Sequence, residues 1–271
     1  MLLEKTEAEA LIESILSTYG YDFSGYARAS LYRRINRFLQ NKQVSGITEL
    51  RDKILRAPDY FEMFLQEMTV NVTEMFRDPS FFFGLRKKVL PILSTYPYIK
   101  IWDAGCSTGE ELYSLAILLK EENLLHKTRI YATDVNQRVL AQAKEGIFSV
   151  STMKEYTQSY LQSGGQQDFS DYYTARYGYA KFNHTLIENV IFYPHNLATD
   201  GSFNEFHLIV CRNVLIYFNK DLQDKVLQLF LSSLSGLGYL GLGKKESLTL
   251  LKVEKQFKVV DKEEKIFRKL N

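Results

Sequence analysis

The sequence contains little cysteine and no long hydrophobic run, and each absence narrows the class of protein. Its 271 residues include two cysteines, Cys106 and Cys211, which argues against a disulfide framework and favours a reducing cytoplasm. No apolar stretch reaches the ~18 residues that a membrane-spanning helix needs. The first residues, MLLEKTEAEALIESIL, carry scattered acidic side chains, unlike a secretory signal peptide. We expect a cytoplasmic protein without membrane insertion.

Net charge is also small. The 34 lysine and arginine residues nearly balance the 32 aspartate and glutamate residues, and the formal net charge of +2 does not by itself indicate a nucleic-acid-binding protein. The four histidines show no metal-ligand spacing, so we expect no metal site. Apolar residues make up 45% of the chain and charged residues 24%, an ordinary balance for a globular protein. The length of 271 residues suits one full α/β domain and a smaller one.

The hydrophobic pattern divides the chain near residue 98. Residues 1–75 show helical spacing and predict a small helical domain, which a linker over residues 76–97 follows. Residues 98–271 alternate short apolar strands with helical segments, and this alternation predicts a parallel, doubly wound α/β sheet. Within this second domain, residues 150–190 are rich in tyrosine, glycine and polar residues, and we interpret them as an inserted small β element.

One stretch of the second domain, IWDAGCSTGEELYS at residues 101–114, has the form of a nucleotide-binding loop. An apolar strand ends at Asp103, Gly105 and Gly109 bound a loop of small residues, and a helix follows directly. Glycine lets the backbone turn sharply and approach a ligand closely. Asp134, at the end of the next predicted strand, can accept hydrogen bonds from both hydroxyls of a ribose. Together these features indicate an adenosine-type ligand.

The helix after the loop begins with two glutamates, Glu110 and Glu111, which argue against a phosphate ligand. A pyrophosphate at a helix N-terminus needs amide donors and positive charge, whereas one like-charge pair ~4 Å apart costs roughly 4 kcal/mol in a partly screened site. No Lys-Ser/Thr pair follows the loop, so an ATP-binding P-loop is not expected. S-adenosylmethionine, which carries an ammonium and a sulfonium, suits the site better. Alternatively, both glutamates only stabilise the helix N-terminus.

Five blocks stand in a specific order along the chain. They are NVTEMFRDPSFF, IWDAGCSTGEELYSLA, YATDVNQRVLAQAKEGIF, FYPHNL and CRNVLIYFNKDLQ. In this order they resemble the chemotaxis-receptor glutamate methyltransferases, the CheR family, and the resemblance covers nearly the whole chain. It implies an α/β fold with a Rossmann-like class I methyltransferase domain over residues 98–271, a small all-helical N-terminal domain that recognises the substrate, and a small antiparallel β-subdomain inserted at residues 150–190.

The resemblance also implies an activity and a set of site residues. The implied activity is transfer of methyl from S-adenosylmethionine to glutamate side chains on cytoplasmic helices of chemoreceptors, which gives glutamyl methyl esters and S-adenosylhomocysteine. Glu111 is the expected contact to the methionine amine, Glu110 is kept as an alternative, and Asp134 is expected to hold the ribose. The implied cofactor-binding residues are Asn71, Thr73, Arg77, Gly105, Glu110, Glu111, Asp134, Asn196, Leu197, Cys211, Arg212 and Asn213.

The expected reaction needs no general base, because its nucleophile is a carboxylate. A glutamate with a pKa near ~4.3 is already ionised at pH 7, and the enzyme must hold it in line within about 3–3.5 Å of the methyl carbon. Our hypothesis is that Arg77 orients this carboxylate and that Tyr217 shapes the pocket by hydrogen bonding, so both are predicted catalytic residues. Without the family, Tyr217, Leu197 and Cys211 would be interpreted as core residues and Arg77 as a surface charge.

A basic stretch of the helical domain is the predicted substrate surface. No acidic residue lies between Phe23 and Thr48. The arginines expected to bind substrate are Arg28, Arg33, Arg34 and Arg37. The spacing places an apolar stripe on the same helix, with the last three of these arginines mostly off it. Such a face suits a glutamate-rich partner helix, although nucleic acid or plain solvation are alternatives.

Three positions depart from the family pattern. The common GHSE is GKKE at residues 243–246, and position 103 is Asp where family members often have a small polar residue. No motif in the inserted segment indicates docking of a receptor C-terminal pentapeptide. The alternatives are a catalytically weak cofactor-binding signalling module, and a methyltransferase acting on another protein, a nucleic acid or a small molecule. We expect a monomer whose partner is a chemoreceptor cytoplasmic domain, and no nucleic-acid partner.

Overall fold

The chain folds into two compact units in a computed structural model, which describes residues 5–69, 73–249 and 251–270. The first unit comprises Met1–Asn71 and Ile216–Val226, and the second comprises Val72–Leu215 and Leu227–Asn271. No helix in the described ranges is long and apolar enough to span a bilayer.

Four helices build the first unit's own core. They are α1 (Lys5–Tyr19), α2 (Arg28–Asn41), α3 (Ile47–Arg56) and α4 (Pro58–Met68). Pro58 occupies the first turn of α4, where its missing N–H costs no helical hydrogen bond. The apolar stripe of α2 packs into this core through Leu31, Ile35 and Phe38, and Phe38 meets Phe64 edge-on at 5.4 Å. The all-helical domain is thus present.

Arg34 corrects the interpretation of α2. It was expected mostly off the apolar stripe, but its side chain is buried, because position 34 lies three residues after Leu31 and four before Phe38 on the same face. Its guanidinium donates to the Met68 carbonyl and to Ser30 Oγ, the latter at 3.1 Å. It also lies 4.5 Å from the ring centre of Tyr217. Burial lowers the pKa of Arg34 below its ordinary value.

The other arginines of the basic stretch differ in their partners. Arg28 pairs with Glu9 of α1 at 2.9 Å, and Arg37 pairs with a carboxylate of α4. The acidic residues that the stretch lacks are therefore supplied by neighbouring helices, which sequence distance concealed. Arg33 is exposed. Of the four arginines predicted to bind substrate, one is buried, two are paired with carboxylates and Arg33 is exposed.

The second unit forms helix from Pro79 onward, within residues 76–97, where the sequence predicted a linker. Its helices are α5 (Pro79–Gly84), a π-helical turn (Leu85–Val89), α6 (Leu90–Leu93), α7 (Glu110–Glu121), α8 (Gln137–Glu145), α9 (Met153–Gln162) and α10 (Lys220–Ser233), whose first half belongs to the first unit. Its strands are β1 (Ile99–Ala104), β2 (Thr128–Asp134), β3 (Ile147–Ser149), β4 (Tyr173–Arg176), β5 (Tyr179–Phe182), β6 (Val190–Pro194), β7 (Phe206–Cys211), β8 (Leu234–Leu242), β9 (Phe257–Asp261) and β10 (Ile266–Lys269).

Seven of these strands form one large sheet in the order β6-β2-β1-β7-β8-β10-β9. The pairings from β6 to β8 are parallel, and β10 runs antiparallel to both of its neighbours. The chain leaves β1 toward β2 on one side, while β7 pairs with β1 on the other. Ligands bind at such a switch point, outside the carboxyl ends of the strands. The ends of β1, β2 and β7 therefore mark the site.

The chain segment between β2 and β6 forms a second, smaller sheet. Its order is β3-β5-β4, and both pairings are antiparallel. Ala180 and Phe182 of β5 face the core together with Phe148 of β3, whereas Tyr179 is 59% exposed. This alternation is that of a sheet with one packed face. The inserted antiparallel β-subdomain is present, with α9 lying between β3 and β4 in the chain.

Candidate active site

The loop after β1 is held tightly by its glycines. Gly105 and Gly109 adopt φ values of 86° and 98°, in the left-handed region that favours glycine. A Cβ at Gly105 would lie 2.5 Å from Val214 Cγ2, and one at Gly109 would lie 2.9 Å from Ala143 Cβ. The amides of Gly105 and Cys106 donate to the Thr133 carbonyl at 2.8 and 2.9 Å. The predicted nucleotide loop is thus fixed against the end of β2.

Asp134 ends β2 directly beside this loop. Its Oδ2 accepts a hydrogen bond from the Ser107 amide at 3.1 Å, and its Oδ1 accepts one from the Asn136 amide at 2.9 Å. Burial raises the pKa of Asp134 to about 6, although these backbone donors oppose the rise. The carboxylate is oriented by backbone groups of two elements, as a ribose-binding acid needs to be.

The two glutamates of α7 have different partners. Glu110 is buried, and its Oε2 accepts from the Thr108 hydroxyl at 2.6 Å. Glu111 accepts instead from Arg212 Nη1 at 2.7 Å. Burial raises the pKa of both carboxyl groups; the Thr108 hydroxyl opposes this for Glu110, and Arg212 opposes it for Glu111. Glu111 is the glutamate that joins the charged cluster at the strand ends.

Arg212 follows β7 and joins three elements. Besides Glu111, its guanidinium donates to Asp78 Oδ2 at 2.8 Å and to the Arg77 carbonyl at 2.9 Å. The side chain is 1% exposed and stacks 4.2 Å from the ring centre of Phe81. Its hydrogen bonds therefore lie within the protein, where they tie the start of α5 to α7.

Asp103 is a site residue that the sequence analysis noted but left outside the predicted set. It lies near the carboxyl end of β1 with 0% exposure. Neither carboxylate oxygen accepts a hydrogen bond from any residue in the described ranges. Burial raises the pKa of Asp103 well above its ordinary value, Glu111 and Asp134 raise it further, and Arg212 opposes them. An acid at the end of a buried strand was the available signal.

The loop that carries Cys211, Arg212 and Asn213 is held by one carboxylate. Glu246 accepts hydrogen bonds from the amides of Asn213 at 3.2 Å, Leu215 at 2.8 Å and Gly243 at 2.6 Å. Asn213 is left-handed, with φ 61°. Cys211 is fully buried, and burial raises the pKa of its thiol, with Glu246 adding to the rise. Sequence reasoning missed this role of Glu246.

The HNL turn after β6 meets the same strand end. The His195 amide donates to the Asp134 carbonyl at 3.1 Å. The Asn196 side chain closes the turn, because its Oδ1 accepts from the Ala198 backbone amide at 3.0 Å. The backbone amide of Asn196 donates to Asp200 Oδ2 at 2.9 Å. Leu197 is buried. Asn196 and Leu197 thus directly follow His195, whose backbone hydrogen bond holds this turn beside Asp134.

The remaining predicted residues are not gathered in this cluster as a group. Asn71 lies outside the described residues, and Thr73 is half-buried. Arg77 has a half-exposed side chain whose Nε is 3.9 Å from Glu74 Oε1, and its charge acts on Glu111. Tyr217 belongs to the first unit, where its carbonyl accepts from the Ala27 amide at 2.8 Å. The catalytic roles predicted for Tyr217 and for Arg77 stay predictions.

The chemistry of the cluster suits a cationic adenosine ligand. Carboxylates surround the loop where a phosphate site would present cations, and the unpaired oxygens of Asp103 need a donor. Asp134 is placed for a ribose, while Asp103 and Glu111 are placed for a positive group. No group of three or more His, Cys, Asp and Glu side chains in the described part of the chain could hold a metal ion. The fold and the site define the class as S-adenosylmethionine-dependent methyltransferases of Rossmann-like fold.

Comparison with known proteins gives the family. Residues 71–266 match the model described as CheR methyltransferase, SAM binding domain, and residues 6–69 match the model described as CheR methyltransferase, all-alpha domain. The chain therefore belongs to the CheR methyltransferase family. The resemblance, the fold class and S-adenosylmethionine as cofactor, each predicted from the sequence, are confirmed.

Three relatives illustrate the match. The chain is 49% identical to "Putative methyltransferase Cher3" of Pseudomonas putida over 97% of this chain and 96% of the relative. It is 33% identical to "Chemotaxis protein methyltransferase 1" of Vibrio cholerae over 80% of each chain. It is 30% identical to "Chemotaxis protein methyltransferase" of Listeria monocytogenes over 84% of this chain and 85% of that one.

Proposed function

We propose that this methyltransferase transfers the methyl group of S-adenosylmethionine to glutamate side chains on cytoplasmic helices of chemoreceptors, acting as a cytoplasmic monomer. The observation that carries the proposal is the placing of Arg77, a half-exposed guanidinium beside a buried carboxylate cluster. The half-exposed guanidinium attracts a substrate carboxylate, while the buried carboxylates attract the cationic cofactor. Two relatives described as chemotaxis protein methyltransferases support the same substrate class.

The proposed chemistry uses Arg77 for orientation and requires no proton transfer to begin. The substrate carboxylate is ionised at pH 7, and the transfer neutralises both the carboxylate and the sulfonium. Tight binding of the substrate charge in the ground state would slow the step, and the exposure of Arg77, 35%, keeps its attraction moderate. Arg212 positions Glu111 and the start of α5 instead of touching the substrate. Tyr217 is proposed to shape the pocket.

The proposed substrate surface is the exposed part of α2. Arg33 is exposed on this helix, and Arg28 and Arg37 carry partners that a glutamate-rich receptor helix can replace. Exchange of one carboxylate partner for another costs little in water, because exposed ion pairs contribute only about 0–1 kcal/mol. Arg34 supports this face from below, through its bond to the Met68 carbonyl.

The test is incubation with methyl-labelled cofactor and receptor cytoplasmic domains. We expect label on receptor glutamates that base hydrolysis releases as methanol, and its loss when those glutamates are replaced by alanine. Arg77→Ala should lower the rate about 100-fold while the affinity for S-adenosylhomocysteine changes less than about threefold. Equal losses in rate and affinity would contradict the orienting role. Tight cofactor binding with no transfer would indicate a signalling module instead.

A further inference from the structure

Asp103 is an acid of the site to whose two oxygens the described residues supply no hydrogen-bond donor. Its side chain is 0% exposed, and no described residue donates to either oxygen. An ionised carboxylate in such a place is costly unless it is paired and hydrogen-bonded. A protonated carboxyl group avoids most of that cost, because the neutral form is far easier to bury.

The charged groups around Asp103 do not resolve this cost. Glu111 reaches it from α7 and Asp134 from β2, and both are carboxylates; Arg212, from the loop after β7, is the cation that acts on it. Arg212 already donates to Glu111, to Asp78 and to the Arg77 carbonyl. The cation that acts on Asp103 is therefore hydrogen-bonded to other groups, and the two acids beside Asp103 add to the cost of its charge. The neighbouring thiols of Cys106 and Cys211 are buried and carry no positive charge.

We propose that Asp103 holds a proton in the cofactor-free protein, and that it releases this proton to receive the ammonium group of the cofactor. The inference rests on the assigned cofactor and deepens it. No covalent bond forms or breaks; the carboxyl proton passes to the solvent, and the ammonium donates to the resulting carboxylate. The raised pKa of Asp103 agrees with the first half of this exchange.

The proposal also assigns different roles to the two acids near the amine. Glu111 is committed to Arg212 at 2.7 Å, so its charge is already balanced before the cofactor arrives. Asp103 has no such partner among the described residues, so an ammonium adds the donors that it lacks. Asp103 is therefore the residue that distinguishes an amine-bearing cofactor from an adenosine lacking the amine. Position 103 is also where this chain departs from the small polar residue of the family pattern.

The test is calorimetry of S-adenosylhomocysteine binding in two buffers of different ionisation enthalpy, from pH 5 to pH 8. We expect release of about one proton per bound ligand below the pKa of Asp103, and an affinity that rises by up to about tenfold per pH unit there. Asp103→Asn should remove that proton and weaken binding at pH 8 by about tenfold or more. The analogue in which hydrogen replaces the α-amino group should bind wild type and Asp103→Asn within about threefold of each other.

Two controls separate the possible failures. Asp261→Asn, a carboxylate that pairs with Lys88 at 2.6 Å, should leave proton release and affinity as in wild type. Melting of Asp103→Asn at or above the wild-type temperature at pH 8 shows that the variant folds, since asparagine removes a buried acid. Proton release at pH 7 that persists in Asp103→Asn overturns the proposal, as does equal release at pH 7 with the desamino analogue; the comparison is made there because Asp134, with its pKa of about 6, is then largely ionised. If S-adenosylhomocysteine does not bind at all, the cofactor assignment itself fails.

Discussion

At the scale of single residues, Glu246 explains how this chain tolerates its departure from the GHSE pattern. The turn reads GKKE, and the two changed positions, Lys244 and Lys245, are exposed. The retained glutamate is buried and accepts three backbone amides. Hydrogen bonds to a charged acceptor are among the stronger ones in proteins. The shape of the loop at Cys211–Leu215 therefore depends on the retained residue and not on the changed ones.

Replacing Glu246 with glutamine should damage both the loop and the site. The new amide nitrogen would face backbone N–H groups, so at least one buried donor loses its acceptor, at a cost of about 2–3 kcal/mol in the free energy of unfolding. We also expect about tenfold weaker binding of S-adenosylhomocysteine. Urea unfolding and calorimetry measure the two effects. Lys245→Ala, in the same turn, should change neither, and an unchanged Glu246→Gln would refute the role.

At the scale of elements, the β1–α7 loop combines left-handed backbone with close packing. A comparison of two glycines separates these two effects. Gly105 and Gly178 both have φ near 80–86°. A Cβ at Gly105 would meet Val214 at 2.5 Å, whereas a Cβ at Gly178 would meet nothing within 4 Å. Strain in the backbone alone costs on the order of 1 kcal/mol, and a clash adds to it.

Alanine at these two glycines should therefore behave differently. Gly178→Ala should lower the free energy of unfolding by about 1 kcal/mol and leave cofactor affinity unchanged. Gly105→Ala should cost about 2–4 kcal/mol and weaken S-adenosylhomocysteine binding at least about tenfold, because Val214 or the loop must move. Equal losses for both variants in chemical unfolding, with normal binding in each, would show that the packing of this loop is unimportant.

Two neighbouring arginines of helix α2 differ in role, because Arg34 is buried and Arg33 is exposed. Arg34→Ala should lower the free energy of unfolding by about 2–4 kcal/mol, because the Met68 carbonyl loses its buried donor and Tyr217 loses a stacked cation. Arg33→Ala should stay within about 0.5 kcal/mol of wild type, since its side chain is exposed. In methylation assays, Arg33→Ala should instead raise the receptor concentration at which the rate is half of its maximum. A stable Arg34→Ala would contradict its buried position.

At the scale of the whole molecule, local patterns predicted the fold class and missed contacts between distant residues. The alternation of strands and helices, the loop at Gly105 and the place of Asp134 depend on short-range spacing, and the sequence showed them. The partners of Arg34 and of Glu111 could not be read in this way, because Met68 and Arg212 lie far along the chain from them. Glu246 was likewise connected to its loop only by folding.

The pH dependence of stability is a property of the whole molecule that these buried acids determine. Burial raises the pKa of Asp134 to about 6, so the folded state holds a proton that the unfolded state has lost above pH ~4. The stabilising contribution is complete below pH ~4 and is lost as the pH rises through about 6. Asp261 has the opposite sign: burial alone would raise its pKa, but Lys88 and two backbone amides lower it. Its contribution is lost as the pH falls.

Asn variants should therefore show opposite trends in thermal melting of the cofactor-free protein. As the pH rises from 4 to 7, Asp134→Asn should gain stability relative to wild type, by on the order of 2 kcal/mol. Asp261→Asn should instead lose stability relative to wild type as the pH rises from ~2 to ~4, because only wild type gains the ion pair with Lys88 there, so the melting series is extended to that lower range. Since every other titrating group, including His207 with its burial-lowered pKa, is common to both comparisons, the differences in melting temperature isolate the two carboxyl groups. A difference between Asp134→Asn and wild type that does not change with pH would mean that folding leaves the pKa of Asp134 at its ordinary value, so that this carboxyl group is ionised at neutral pH before any cofactor binds.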